Sequence, residues 1–244
     1  MLTVTRLRDG AEVLAVAGDP WTREWITPDW RGPAWAVEGA VAYGSGSADE
    51  PAATVTVTGA PDAAAALAGH VLDALPEPPY VLNLPRGAGP LPEGEREEWA
   101  LMTSETAPAA QAGEEDVVLL APGPELSALL AEASPGHLVR PGDPQVEVWA
   151  GIRAADGELA CVGALLLRPG TGAPHLASIA TAPAHRGRGL AAAVTAWLTR
   201  RALERGAPWC SLARLDSAGT AHRLYERLGY RTVQEFTSIT LDVW

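Results

Sequence analysis

The segment HRGRGLA, His185 to Ala191, sets two arginines and two glycines directly ahead of a run with helical spacing. A strand, a glycine-rich turn and a helix in succession leave the helix's first amides without internal partners, aimed into the turn. Those N–H groups, with the positive end of the helix dipole, form an anion site, and glycines let a phosphate come close to the backbone. Arg186 and Arg188 add charge in a geometry that suits phosphate. The other reading is a plain turn with two arginines in solvent, and the loop alone leaves both open. Neither GxxxxGK[ST] nor GxGxxG is matched, so neither a nucleotide triphosphate loop nor a dinucleotide fingerprint accounts for it.

Groups that could move a proton are sparse. Glu147, within the run Gln145 to Ile152, and His175, leading into the strand before the loop, could deprotonate an ammonium directly or through water. Each also reads as a surface or hydrogen-bonded structural residue. Asp216 reads as a helix cap, and His137 and His222 carry no motif. Cys161 and Cys210 lie in apolar runs without a close partner, which makes them core residues rather than metal ligands or a disulfide. All eighteen basic residues are arginine, so a lysine nucleophile or Schiff base is excluded.

The elements that must position these groups fall into two sets. In the first, LTVTRL and EVLAVAG read as strand pieces, followed by the tryptophan-rich WTREWITPDWRGPAW. AWAVEGAVAYG and ATVTVTG alternate like strands. PDAAAALAGHVLDAL is a helix with Pro61 and Asp62 in its first turn, and YVLNLP and EWALMTSE are two more strands. A stretch of small and charged residues at 107–116 reads as a linker. The second set has VVLLAP as a strand, PELSALLAEAS as a helix, and two strands joined at Asp156-Gly157, a hairpin signal. HLASIATAP then leads into the glycine loop. From Leu190 the apolar positions Leu190, Val194, Trp197 and Leu198 recur at helical spacing, and Gly206 is a natural stop. WCSLARL is a strand. Ser217 can cap a helix, AGTAHRLYERLG, that ends at Gly229, and RTVQEFTSITLDVW is a final strand. The expected domains are 1–106, a linker at 107–116, and 117–244.

The net charge of −12 is uneven: residues 1–115 hold 6 Arg against 18 acids, and residues 116–244 hold 12 against 12. An acidic half argues against nucleic acid as partner, since phosphate backbones require a basic surface. It is compatible with a cationic or amine-bearing one. No apolar stretch approaches 18 residues and the N-terminus lacks a signal-like apolar region, so the expectation is a cytoplasmic protein without a membrane partner.

Pro183 to Ala191, preceded by the strand Leu176 to Thr181, resembles motif A of the GNAT N-acetyltransferase superfamily, whose pattern [QR]-x-x-G-x-[GA] falls on Arg186, Gly189 and Ala191. About 35 residues on, His222 to Tyr230 resembles its motif B. The asparagine common just before motif B is Ala218 here, beside Ser217. The resemblance covers residues 116–244 well and the first 105 weakly. It implies an α+β fold with a mixed central sheet and flanking helices, preceded by a smaller α+β lobe with the element order of a degenerate half of the same type, as in tandem or FR47-like acyltransferases.

By the same resemblance, Arg186, Gly187, Arg188, Gly189, Leu190 and Ala191 bind the diphosphate of acetyl-CoA or another acyl-CoA. Ile179, Ala180 and Thr181 offer backbone hydrogen bonds to its pantetheine arm, and the acyl group enters a slot where that strand splays from the next. Tyr225 is the general acid toward the leaving thiolate and Glu147 the candidate base, with no metal. The implied activity is N-acylation, foremost acetylation, of a primary amine on a small molecule or peptide. The alternatives are a non-catalytic CoA-binding sensor or scaffold, and an O-acyltransferase. A homodimer is left open. In the first lobe, Gly44-Ser45-Gly46-Ser47 lacks the arginine and helix of motif A, so a second CoA site is not expected there. Trp21, Trp25, Trp30 and Trp35 read as packing residues between the two sets, or as the wall of an acceptor pocket or cation cage.

Overall fold

The computed structural model describes residues 3–44, 53–90, 92–216 and 221–241. The chain divides into two compact units, one comprising Met1–Leu101, Leu215–Ser217 and Val233–Trp244, the other Met102–Arg214 and Ala218–Thr232. The final strand, expected with the second domain, therefore belongs mostly to the first unit. The expected linker is also part of the second unit: Arg200 pairs with Glu114 and donates to the carbonyl of Pro108.

The first unit contains β1 (Thr5–Leu7), α1 (Gly10–Val16), α2 (Pro20–Trp25), β2 (Ala34–Val37), β3 (Ala40–Gly44), β4 (Thr54–Gly59), α3 (Pro61–Ala74), β5 (Val81–Pro85), most of β6 (Glu95–Ser104) and most of β12 (Arg231–Thr240). Its strands are ordered β1-β2-β3-β4-β5-β12-β6. The pair β4–β5 is parallel, with α3 as crossover, while β1–β2, β2–β3, β3–β4 and β5–β12 are antiparallel. EVLAVAG is not a strand. Asp9 caps α1 by accepting from the Glu12 amide, and Asp19 caps α2 the same way from Thr22, with Pro20 in the first turn. The signals were Asp-x-x-Glu and Asp-Pro, which outweigh the β-like composition.

The tryptophans pack within this unit. Trp21 lies 5.6 Å from Trp25, 5.1 Å from Trp99 and 5.9 Å from Phe236, centroid to centroid. Trp35 is buried in the separate apolar cluster that covers α3. From β4 to β6 a row of side-chain hydrogen bonds crosses the sheet, Asn83 to Thr56, Ser238 to Asn83 and Trp99 to Ser238.

The second unit contains β7 (Val118–Leu120), α4 (Pro124–Ala133), β8 (Val146–Arg153), β9 (Leu159–Leu167), β10 (Pro174–Thr181), α5 (Leu190–Leu203), β11 (Cys210–Leu215) and α6 (Ala221–Arg227). The strand order is β11-β10-β9-β8-β7, with β10–β11 parallel and the other pairs antiparallel. Alternation of β9 sends Cys161 and Leu165 to the face of α5 and α6, and Val162, Ala164 and Leu166 to the face of α4. Alanines at 192, 193, 196 and 202 bring α5 close to the sheet. Gly163 completes that approach, because a Cβ there would lie 3.0 Å from Leu198 Cδ1 and 3.1 Å from Val194 Cγ1. Cys161 and Cys210 are both buried and form no disulfide among the described residues.

The run β2-β3-β4-α3-β5 in the first unit has the order and strand directions of β8-β9-β10-α5-β11 in the second. Each fold is thus a mixed sheet with flanking helices, as expected. The two differ where the parallel strand turns into its helix. One residue, Ala60, separates β4 from α3, whereas residues 182–189 separate β10 from α5.

Candidate functional site

The eight-residue connection starts with a short 3-10 turn, Pro183–His185, and passes through two left-handed glycines, Gly187 at φ 76° and Gly189 at φ 82°. A side chain at either position would strain the backbone. Neither glycine is packed against, since a Cβ built there meets nothing within 4 Å. Gly189 is the N-cap of α5 and has no side chain to cap it, while the first helical bond runs from Ala193 N to Gly189 O. The amides of Leu190, Ala191 and Ala192 are therefore outside the helix's own ladder and head into open space.

The counterpart in the first unit is closed. A Cβ on Gly59 would sit 2.1 Å from the Gly39 carbonyl oxygen, and that oxygen accepts from the Ala60 amide at 2.9 Å. By topology this short turn, not Gly44–Ser47, is the place to compare with the loop; residues 45–47 lie outside the described residues.

Both arginines of the loop lie over backbone carbonyls. Arg186 donates from Nε to Thr181 O at 3.3 Å and from Nη2 to Ala133 O, at the C-terminus of α4, at 3.4 Å. Arg188 Nη2 reaches Ala184 O at 3.3 Å. Their charge stays at the rim of the loop, and the backbone amides form its floor.

β10 leaves β11 early. Its parallel pairing covers His175–Ser211 and Leu176–Leu212, while its antiparallel pairing with β9 continues to Thr181–Cys161. Between Ala177–Ala164 and Ala180–Val162, β10 has one residue more than β9. This bulge holds Ser178 at φ 51°, and its hydroxyl donates to Val139 O at 3.0 Å. A bulge sharpens local twist and re-aims a strand. Ala177, Ser178, Ile179 and Thr181 are accordingly only half-buried on a strand that starts fully buried.

Strand alternation sorts the backbone groups expected to face a ligand. Ala182 N donates to Ala160 O of the β9 side, so Ala180, two residues earlier, also points its polar groups at β9. Ala180 is thus withdrawn as a backbone contact to a ligand arm. Thr181 points to the opposite side, where Arg186 takes its carbonyl. Ile179 stands in the bulge.

Tyr225 lies on α6, 9% exposed, with its ring edge-on to Tyr230 at 6.1 Å. Burial, reinforced by the nearby Cys161 thiol, pushes its hydroxyl up to about 12. Thr181 Oγ1 meets Cys161 Sγ at 3.3 Å, and burial pushes that thiol up to about 11. Tyr225, Cys161 and Thr181 therefore converge at the end of β10 that runs into the glycine loop. Cys161 carries no motif in the sequence, and only its pairing opposite Thr181 in the β9–β10 hairpin connects it with this place.

Glu147 is not part of this group. It is the extra residue of a bulge in β8, between Val146–Leu166 and Val148–Leu165, and it pairs with Arg205 beyond the far end of α5. Four residues of β9 separate Leu165 from Cys161, about 13 Å of strand. The candidate base is therefore both occupied and misplaced. His175 is buried and shares a 2.8 Å hydrogen bond between Nδ1 and Ser211 Oγ, a structural role. Asp216 pairs at 2.8 Å with Arg86, which also holds Glu235 at 2.8 Å; the residues it would cap lie outside the described residues. Ser217 and Ala218 lie outside the described residues. Gly229, at φ 88°, ends α6 as expected. Among the described residues no group of three or more His, Cys, Asp or Glu could hold a metal, and no helix is long and apolar enough to cross a membrane.

Residues 126–230, which contain the loop, the bulged strand and Tyr225, match the acetyltransferase (GNAT) family. This region is a GNAT acetyltransferase domain. The fold of the chain is similar to that of a GNAT-family acetyltransferase of Sphaerobacter thermophilus, at 15% identity and TM-score 0.56, covering 97% of this chain and 94% of that one. It is also similar to a GNAT-family structure from Novosphingobium aromaticivorans, at 24% identity and TM-score 0.54, covering 81% and 86%. A third, from Colwellia psychrerythraea, has 12% identity and TM-score 0.53 over 98% and 100%. No curated protein matches the sequence. The GNAT domain makes acyl transfer from an acyl-CoA the chemistry to consider, and the likeness in fold extends over both units.

Proposed function

We propose that the protein is an acyl-CoA-dependent N-acyltransferase, with acetyl-CoA as the foremost donor and a primary amine of a small molecule or peptide as acceptor. The observation that carries this reading is the uncapped N-terminus of α5, where Gly187 and Gly189 leave open space above free amides within a GNAT domain. The diphosphate rests on the amides of Gly187 to Ala191, with Arg186 and Arg188 as rim charge. The pantetheine arm lies along β10 past Ile179 and Thr181, in the gap left where β11 diverges.

In this arrangement an uncharged amine attacks the thioester carbonyl, forming the C–N bond, and the negative charge moves to the carbonyl oxygen. Collapse breaks the C–S bond, and the sulfur takes the proton of the Tyr225 hydroxyl; the attacking nitrogen's extra proton returns the phenolate to phenol through water. Burial keeps Tyr225 protonated at neutral pH, as a donor must be. Most of the acceleration comes from holding amine and thioester together. Glu147 takes no part, being held by Arg205.

Thiol release from acetyl-CoA with a panel of primary amines tests the proposal. It expects amine-dependent thiol and a hydroxylamine-stable product, with kcat falling about 100-fold or more in Tyr225→Phe at little change in KM. CoA binding without turnover would replace the enzyme with a sensor, and a hydroxylamine-labile product would make the acceptor a hydroxyl.

A further inference from the structure

A cavity of about 230 Å³ lies in the second unit, where β7 ends and leaves the outer edge of β8 uncovered. Leu119, Leu120, Pro122, Val146 and Val148 give it apolar walls, and Asp143, Glu147 and Trp149 complete it together with Gly142. Trp149 is only 4% exposed, yet its indole N–H meets no acceptor among the described residues. A buried donor without a partner is destabilising, so its retention at a cavity wall points to an acceptor supplied from outside.

The two carboxylates are not equivalent. Glu147 pairs with Arg205, whereas Asp143, which also lines the cavity and accepts at Oδ1 from the Gln145 amide at 2.9 Å, has no ion-pair partner among the described residues. The site therefore offers an apolar body space, one hydrogen-bond donor and one net negative charge. It is smaller than the roughly 300–1,000 Å³ of a drug-sized site. It also lies about 13 Å of strand away from Cys161 and the place assigned to the acyl group.

We propose that this cavity is a second small-molecule site, distinct from the acyl-CoA site, which takes a short amphipathic primary amine bearing an oxygen acceptor, the chemistry of an amino alcohol. The apolar chain fills the space between Leu120 and Val148, the oxygen accepts from Trp149 Nε1–H, and the ammonium faces Asp143.

Leucinol, which carries an isobutyl group, a hydroxyl and an ammonium, is the probe. Titration into the ¹⁵N-labelled full chain, followed by indole N–H resonances, should shift the Trp149 signal, identified by its loss in Trp149→Phe. Asp143→Asn, a change at a half-exposed loop, should weaken binding about tenfold or more, as should replacing leucinol by leucine, whose carboxylate takes the place of the hydroxyl and cancels the net positive charge that Asp143 attracts. Isoamylamine, lacking the hydroxyl, should also bind less tightly. No shift of the Trp149 signal up to about 10 mM leucinol overturns the proposal. So does binding that is indifferent to Asp143→Asn, which would mark an adventitious apolar contact. Acetyl-CoA titrated into the same sample reports on the other site: loss of its binding refutes the function proposed above and leaves this one standing.

Discussion

Ala191→Glu puts a carboxylate on the second residue of α5, beside the amides assigned to the diphosphate. The position separates folding from binding better than the loop glycines do, because Gly187 and Gly189 have positive φ and any side chain there strains the backbone whatever its charge. Ala191 is helical and only partly buried. A carboxylate in the first turn favours the helix dipole by about 0.3–1 kcal/mol, which offsets the small loss of alanine's helix propensity. With the nearest phosphate charge taken as about 6 Å away, repulsion is about 1.4–2.8 kcal/mol for an effective dielectric of ~40 to ~20. That corresponds to a loss of about 10- to 100-fold in acetyl-CoA affinity. Calorimetric titration at low ionic strength measures it, with thermal unfolding as control. The gap between variant and native protein should narrow in high salt, since the site is open to solvent. An affinity within twofold of native, at unchanged thermal stability, would refute the placement of the diphosphate.

Three further outcomes follow from the same geometry. Gly187→Ala meets no neighbour, so its effect is that of backbone conformation alone, about 1–2 kcal/mol lost in urea unfolding or as a loosened loop with weaker CoA binding. Cys161, held at about 11 when folded, ionises near 9 in the unfolded chain. Its stabilising effect is complete below that lower value and is lost as pH rises toward 11, amounting to roughly 3 kcal/mol. Native protein should therefore lose that much more stability over the interval than Cys161→Ala, and native Cys161 should resist iodoacetamide at pH 8 by mass spectrometry. The Tyr225 hydroxyl, raised to about 12, should produce no fall in kcat between pH 8 and about 10; a descending limb there that vanishes in Tyr225→Phe would contradict its assigned protonation.

Much of the site could be read from the chain because it is local. A strand, two glycines and an alanine-rich helical run in sequence specify the turn and its free amides without any distant partner. What stayed hidden depended on register and pairing. The extra residue in β10 that re-aims Ala180 toward β9 is visible only once Ala177 is set against Ala164 and Ala180 against Val162. Glu147 looked like a base until its cross-element partner Arg205 was known. Chain order alone puts the last strand in the second domain, yet its residues pair from Phe236–Pro85 to Thr240–Val81 with β5. In the first unit, α1 was misread because valine, leucine and alanine suit strand or helix alike. The Asp9 and Asp19 caps, not the apolar pattern, decide those segments.

We place the diphosphate of an acyl-CoA in the turn between β10 and α5, with the thioester carried toward Thr181 and Tyr225. A crystal structure of the full chain soaked with CoA tests it most directly. Diphosphate oxygens are expected within hydrogen-bond reach, about 2.7–3.2 Å, of the amides of residues 187–191, with the thiol near the Tyr225 hydroxyl. CoA bound elsewhere on the chain, with those amides facing only solvent, would contradict it.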